Sequence, residues 1–305
     1  MLDLRKLQLL RELSYRRTIA AVADAAAYTP SAVSQQLSAL ERDVGVRLLE
    51  RSGRSVELTP AGRMLVAHSE VILAAVNEAE ADLAVSKGAL VDELRMGACP
   101  SVIRTLVTPA IVSLSTANPG LGIVVNEVDP ALAPDALRAG SLDIALVQEY
   151  DHVPLVLGDG LDSEPLLTER VYLAATIPDL TSAQLRAATW ISGSAGTLCD
   201  TLTERFCWAE GFAPRVRHRV DDFSAMAAMV SAGQGLALIP RLGADDVPSN
   251  VVLNRTGITR TTSLAFRRGT QRSPSVAAAR VALVLAARTG PGDRSTADQP
   301  SPSLR

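Results

Sequence analysis

The chain is poor in the residues from which metal and redox centres are usually built. It has three cysteines and three histidines in 305 residues, at Cys99, Cys199, Cys207, His68, His152 and His218. None forms a compact ligand pattern, and the eight-residue separation of Cys199 and Cys207 is neither a CxxC redox pair nor a usual paired-zinc spacing. No metal and no cofactor is therefore expected, and the thiols read as buried small hydrophobes. Aromatic residues are only 3% of the chain, so Trp190 stands out as either a cleft wall or a piece of core. Catalytic signatures are also missing: there is no Walker loop, dinucleotide-binding glycine fingerprint or nucleophile elbow. Ser194, in Gly193-Ser194-Ala195-Gly196, lacks the elbow's spacing, and the adjacent Asp221 and Asp222 do not naturally face each other. No catalytic residue is expected, although an α/β cleft alone does not exclude an enzyme. Met1-Leu2-Asp3-Leu4-Arg5-Lys6 lacks the apolar core of a secretory signal and no membrane-length apolar run follows, which predicts a cytoplasmic protein without a membrane partner.

What is present is concentrated near the amino terminus. Thr29 to Glu41 reads as a short helix with two separate faces: Val33, Leu37 and Leu40 on one side, Ser31, Ser34, Gln35 and Ser38 on the other. Thr29 suits the N-cap and Pro30 the first helical position, where a missing N–H costs nothing. Upstream, Thr18 caps a segment with Ile19, Val22, Ala23 and Ala26, and Ala27-Tyr28 supplies a brief turn. Two short helices so joined form a helix-turn-helix whose polar face can meet base edges. Ser52-Gly53-Arg54-Ser55 and the alternating Val56-Glu57-Leu58 then predict a hairpin wing. Arg47, Arg51 and Arg54 are suited to phosphate or minor-groove contacts. Charge follows this division: residues 1 to 66 carry ten basic and seven acidic residues, the remainder twenty and twenty-six, so the overall charge of -3 conceals a basic amino-terminal part.

The ordered run Thr29-Pro30-Ser31-Ala32-Val33-Ser34-Gln35-Gln36-Leu37, then Leu40-Glu41, Gly45-Val46-Arg47-Leu48-Leu49-Glu50-Arg51 and Leu58-Thr59-Pro60-Ala61-Gly62, resembles the LysR-type transcriptional regulators. Leu49 stands where that family usually has phenylalanine, Pro30 and Ser31 reverse its familiar order, and Ala26 replaces a larger aliphatic. The resemblance implies an α/β fold class: an amino-terminal winged helix-turn-helix, a long linker helix, and a two-lobed α/β effector domain like a periplasmic binding protein. It also implies a sequence-specific, nucleoid-associated regulator of double-stranded promoter DNA. Pro30, Ser31, Ser34, Gln35 and Ser38 would read bases, and Arg47, Arg51 and Arg54 would support affinity.

On this organisation residues 1–58 form the DNA-binding domain and 59–87 a dimerisation linker helix. Residues 88–288 form the effector domain, and 289–305 a disordered, Gly-, Pro- and Ser-rich tail. Leu65, Ile72, Val76, Ala79 and Leu83 make a linker stripe that pairs best with a second copy, and the family adds tetramer assembly and contact with the transcription machinery. Alternating elements after residue 88 predict an open, largely parallel sheet, with a first lobe at 88–162 and 267–288 and a second at 163–266. A small-molecule effector, an organic acid or amino-acid-like metabolite, is expected at the strand-to-helix junctions between the lobes. The candidate contacts are Ser101, Gln148, Trp190, Ser192, Ser194 and Thr197. A DNA-binding architectural protein that senses nothing is the alternative.

Overall fold

The computed structural model describes residues 1–52, 55–86 and 93–289. α1 (Leu4–Arg16) starts at Asp3, whose carboxylate accepts from the Arg5 and Lys6 amides. α2 (Ile19–Ala26) is capped by Thr18 and leaves through Ala27 in the left-handed region at φ 55°. α3 (Pro30–Val44) is capped by Thr29, carries Pro30 in its first turn and ends at Gly45. The apolar faces of the three helices meet through buried Leu7, Leu10, Val22, Val33, Leu37 and Leu40. β1 (Leu49–Ser52) and β2 (Ser55–Leu58) pair antiparallel as the wing. Glu41 ties that wing to α3, its Oε1 accepting from the Leu48 and Leu49 amides at 2.8 and 3.0 Å. Arg54 and the 290–305 tail lie outside the described residues, as does the side chain of Arg51.

α4 (Pro60–Ser86) leaves the wing with Gly62 pressed on the Leu48 carbonyl, where any Cβ would collide. The linker stripe does not stay free for a second copy along its whole length. Leu65 and Ile72 pack against the helix-turn-helix core, and Val66, Ser69, Glu70, Leu73 and Ala81 are buried. The helix leans on its own effector domain, where Asn77 Nδ2 donates to the Arg268 carbonyl at 2.9 Å. Met64, Val71, Leu83 and Val85 remain as exposed apolar residues.

In the effector domain, β3 (Glu93–Ala98) feeds α5 (Pro100–Val102), which continues through a π-helical turn, Ile103–Val107, into α6 (Thr108–Ala117). Then come β4 (Gly122–Glu127), α7 (Ala133–Ala139), β5 (Ile144–Tyr150) and β6 (Leu161–Ala175). α8 (Ser182–Ala187), β7 (Thr189–Ser192), α9 (Leu198–Ala209), β8 (Arg215–Arg219), α10 (Phe223–Ser231) and β9 (Ala237–Pro240) follow. β10 (Val252–Arg267) and α11 (Pro274–Thr289) close the described chain.

The main sheet runs β4-β3-β5-β10-β6-β9, and β7-β8 form a separate parallel pair. Only β3 pairs parallel within the main sheet, with β4 and β5; β10 is antiparallel to β5 and β6, and β6 to β9. The strands from which a parallel sheet is expected, β3, β4 and β5, are parallel, and the antiparallel strands beside them have a topological origin. β6 carries the chain from the first lobe to the second and β10 brings it back, so the two must run in opposite directions. The expected lobe limits at 162/163 and 266/267 accordingly fall inside continuous strands, β6 and β10. One core lies between β3, α6 and α11; two more, around Trp190 and around Met226, fill the second lobe. Among the described residues no helix is long and apolar enough to cross a membrane.

Candidate effector cleft and DNA-reading helix

The cap and proline that start α3, together with its buried Val33-Leu37-Leu40 side, turn Pro30, Ser31, Ser34, Gln35 and Ser38 to the surface. All five are exposed, as is Arg47 ahead of the wing. Ser31 Oγ lies 3.0 Å from the Thr29 hydroxyl, so the first turn is held from both sides of Pro30.

Behind this unit, α1 and α4 meet the first lobe through a polar cluster. The Tyr15 hydroxyl donates to Glu70 Oε1 at 2.6 Å and lies 3.0 Å from the Asp159 carbonyl oxygen. The Arg138 guanidinium, from α7, sits 4.0 Å from the centre of the Tyr15 ring, and Arg16 reaches Asp135 at 3.7 Å. Burial and the Glu70 carboxylate push the Tyr15 phenol well above its ordinary range.

A cavity of about 170 Å³ opens between the lobes. From the first lobe come Cys99, Pro100 and Ser101, where β3 turns into α5, and Glu127 to Pro130, where β4 ends. β5 adds Gln148 and Tyr150. The second lobe contributes Thr197, Leu198 and Cys199 at the start of α9, with Asp221 and Phe223 at the start of α10, and β10 contributes Arg260. Strand ends and helix starts thus converge on one space, as an α/β cleft requires.

Three of the six candidates, Ser101, Gln148 and Thr197, line the cavity. The other three do not. Trp190 is fully buried in the second-lobe core against Phe206 and Phe212, with ring centres 5.8 and 6.3 Å away, so its indole is spent on core packing and not on the cleft wall. Ser192 is buried and donates to Asp200 Oδ1 at 3.2 Å. Ser194 is exposed, and its amide and hydroxyl both donate to Asp221, at 2.7 and 2.5 Å. Ser192 and Ser194 therefore shape the loop that positions Thr197, with Asp200 bridging Ser192, the Gly196 amide and Arg219.

The deepest charged group is one the sequence motifs did not disclose. Arg260 is 1% exposed and pairs with Glu169 Oε1, from Nη2 at 2.7 Å and Nε at 2.8 Å; Glu169 Oε2 in turn accepts from the Leu242 amide at 2.6 Å. Burial is the largest influence and would lower the guanidinium's pKa, but the Glu169 carboxylate and the neighbouring acidic groups together more than offset it, and Arg260 stays protonated. Its Nη2 also reaches Ser101 Oγ at 3.4 Å. Tyr150 Oη and Cys199 Sγ are 3.6 Å apart. Burial raises both acids, the phenol well above its ordinary range and the thiol to about 11, so neither is ionised at neutral pH. Asp129 is also raised, by burial first and by the Asp221 carboxylate from the opposite lobe, although the Ala131 amide hydrogen bond opposes the shift. Among the described residues no group of three or more histidines, cysteines or carboxylates could hold a metal ion.

The chain's relatives agree with this division of parts. Residues 4–63 match the bacterial regulatory helix-turn-helix proteins of the lysR family, and residues 87–286 match the LysR substrate binding domain. The transcriptional dual regulator GltC of Bacillus subtilis is 25% identical over 246 residues, 78% of this chain and 81% of GltC. The regulator GbpR of Azospirillum brasilense is 31% identical over 218 residues, 70% of this chain and 64% of GbpR. Among solved structures, full-length OxyR of Pseudomonas aeruginosa, a cysteine-to-aspartate variant, superposes with a TM-score of 0.59 at 19% identity, covering 98% of this chain and 99% of that one. With both halves accounted for in chain order, this chain belongs to the LysR family: it is a DNA-binding transcriptional regulator carrying an effector-binding domain.

Proposed function

We propose that a small metabolite binds in the interlobe cleft and controls how the protein engages its promoters. The observation that carries this reading is the cleft's composite wall: residues from both lobes and from the strands that join them line one cavity. A ligand filling it has different contacts in open and closed arrangements, which is what population shift requires. Ser101, Gln148 and Thr197 are the contacts retained from the sequence, joined by Asp129, Tyr150 and Asp221. Of the two ligand classes weighed from the sequence, the carboxylates Glu127, Asp129 and Asp221 favour an amino-acid-like metabolite over a plain organic acid.

At the DNA, Ser31, Ser34, Gln35 and Ser38 read the major groove beside Pro30, and Arg47, Arg51 and Arg54 supply phosphate affinity. Self-association accompanies the family, and the exposed Met64, Val71, Leu83 and Val85 are the residues we assign to a homodimer seam, with tetramers formed from such dimers. Such a protein acts in the cytoplasm, on the nucleoid. Mapping its binding sites across the genome of its own cells, followed by footprinting with metabolites of the neighbouring pathways, tests the reading. A ligand that saturates the cleft without altering affinity, footprint or transcription refutes it.

A further inference from the structure

The cleft is short of positive charge. Among the described residues lining it, Arg260 is the one cation, and its charge is already met by Glu169 at 2.7 and 2.8 Å. Against this stand three carboxylates, Glu127 and Asp129 from the first lobe and Asp221 from the second. The balance around the space is negative.

A second observation points the same way. Gln148 is 2% exposed, and its Nε2 donates to the Leu146 carbonyl at 3.1 Å. That bond fixes which end of the amide is which, because a carbonyl accepts only from the nitrogen. Oε1 is thereby left buried with no donor, on a side chain that lines the cavity. A buried acceptor without a partner is costly, and a ligand N–H satisfies it. The acidic pair and the orphan acceptor ask for the same thing.

We infer that the cleft recognises a metabolite bearing a protonated amino group, which bridges Asp129 and Asp221 across the lobes and donates to Gln148 Oε1; the inference rests on the cleft being the effector site. Without the ligand, two carboxylates from opposite lobes oppose closure. With an ammonium between them, the same pair draws the lobes together. Asp221 is pre-aimed for this by the Ser194 amide and hydroxyl, and Asp129 by the Ala131 amide at 2.8 Å. Each carboxylate keeps lone pairs for a further donor. The seat for Ser194 in this scheme is behind the ligand, orienting Asp221.

The test uses the full chain and a defined panel: the twenty amino acids, linear diamines of two to six carbons, and the carboxylic and hydroxy acids obtained by removing the amino groups. Thermal shift screens the panel and calorimetry gives Kd. At least one amine is expected to bind where its deaminated partner does not. Asp129→Asn and Asp221→Asn, which keep the shape and one acceptor oxygen each, the Ser194 hydroxyl turning to accept from the new amide at position 221, should each weaken that binding about tenfold or more, the scale of a lost charge-assisted hydrogen bond. Gln148→Leu should weaken it less. Circular dichroism of the unliganded variants checks that they fold.

Binding of the deaminated acids in preference to the amines, or a wild-type chain that no amine in the panel stabilises, overturns the inference. So does amine binding that both Asn variants leave intact. Ser101→Trp, which puts an indole into the cavity from its wall and is checked for folding in the same way, separates this from the broader reading. If an acid binds and Ser101→Trp abolishes it, the cleft stands and the amine falls; if an amine binds regardless of Ser101→Trp, the cleft itself is wrong.

Discussion

Replacing Arg260 by methionine removes the cation from a pair whose side chains are 2% and 1% exposed. The Glu169 carboxylate then stays buried with the Leu242 amide as its remaining donor. Breaking a buried ion pair from one side costs about 3–5 kcal/mol, because the surviving charge is neither hydrated nor paired. For a domain of roughly 200 residues that is a fall in Tm of roughly 6 to 20 °C. Neutralising the survivor should reverse much of it, since a well-packed neutral pair is often no worse than a buried ionic one. The double variant Arg260→Met, Glu169→Gln is therefore expected to recover at least half of the loss, the introduced carboxamide oxygen still accepting from the Leu242 amide. The coupling is read from a double-mutant cycle in urea, following tryptophan emission, to which the fully buried Trp190 and the exposed Trp208 both contribute. A single-variant cost below about 1 kcal/mol, or losses that simply add, would refute the account of Arg260 as a charge held by Glu169. The Glu169→Gln variant alone carries a second consequence: with Arg260 no longer neutralised, the cleft should gain affinity for anions.

Gln35→Ala is expected to weaken operator binding in gel shifts while leaving unrelated DNA nearly untouched. Arg47→Ala should weaken both alike and flatten the slope of log K against log salt by about one; the opposite assignment of effects would reverse the two roles. Tyr15→Phe deletes the hydroxyl that serves Glu70, itself 6% exposed, and should cost about 1–3 kcal/mol in urea unfolding; an unchanged midpoint means the cluster under α1 contributes nothing. Cys199, with its thiol pushed up to about 11 by burial, is expected to resist iodoacetamide at pH 7.5, since its thiolate fraction there is on the order of one in a thousand or less. Labelling rises only as the pH approaches that value, and mass spectrometry showing Cys199 modified faster than in the unfolded chain would contradict the burial argument.

The DNA-binding half was legible because its determinants are local. Thr18, Thr29 and Pro30 cap and start helices within three residues of where they stand, and Val33, Leu37 and Leu40 mark the buried face by spacing alone. Several strand cores, such as Gly122–Glu127, could likewise be read from apolar composition and breakers. α1, α8 and β8 had no comparable signal: Arg215–Arg219 alternates arginine with valine and histidine and looks like surface. The cleft was legible only where a residue sits at a strand-to-helix turn, as Ser101 and Thr197 do. Arg260 could not be found this way, since it is directly opposite Glu169 in the β10–β6 register, 91 residues away, and nothing near either residue announces the pairing. Ser192 and Ser194 had the right location, yet their hydroxyls were already committed to Asp200 and Asp221.

The two halves are also joined more directly than a linker helix alone provides. The loop that bears Asp129 runs into α7, and α7 places Asp135 and Arg138 against Arg16 and Tyr15 of α1. α1 in turn packs on α2 and α3 through Leu7, Leu10 and Leu13. From the cleft wall to the base-reading helix the chain therefore offers one seven-residue helix and one thirteen-residue helix in contact, besides the 27-residue α4. Contiguity becomes coupling only where an element has two positions that both ends can bias. The polar character of the α7–α1 contact suits that requirement: an ion pair at 3.7 Å and a guanidinium over a ring depend less on one packing than the leucine-filled α1–α3 contact does. Under the proposed ligand control, a shift of the first lobe therefore reaches the helix-turn-helix through α7 and α1 as well as through α4.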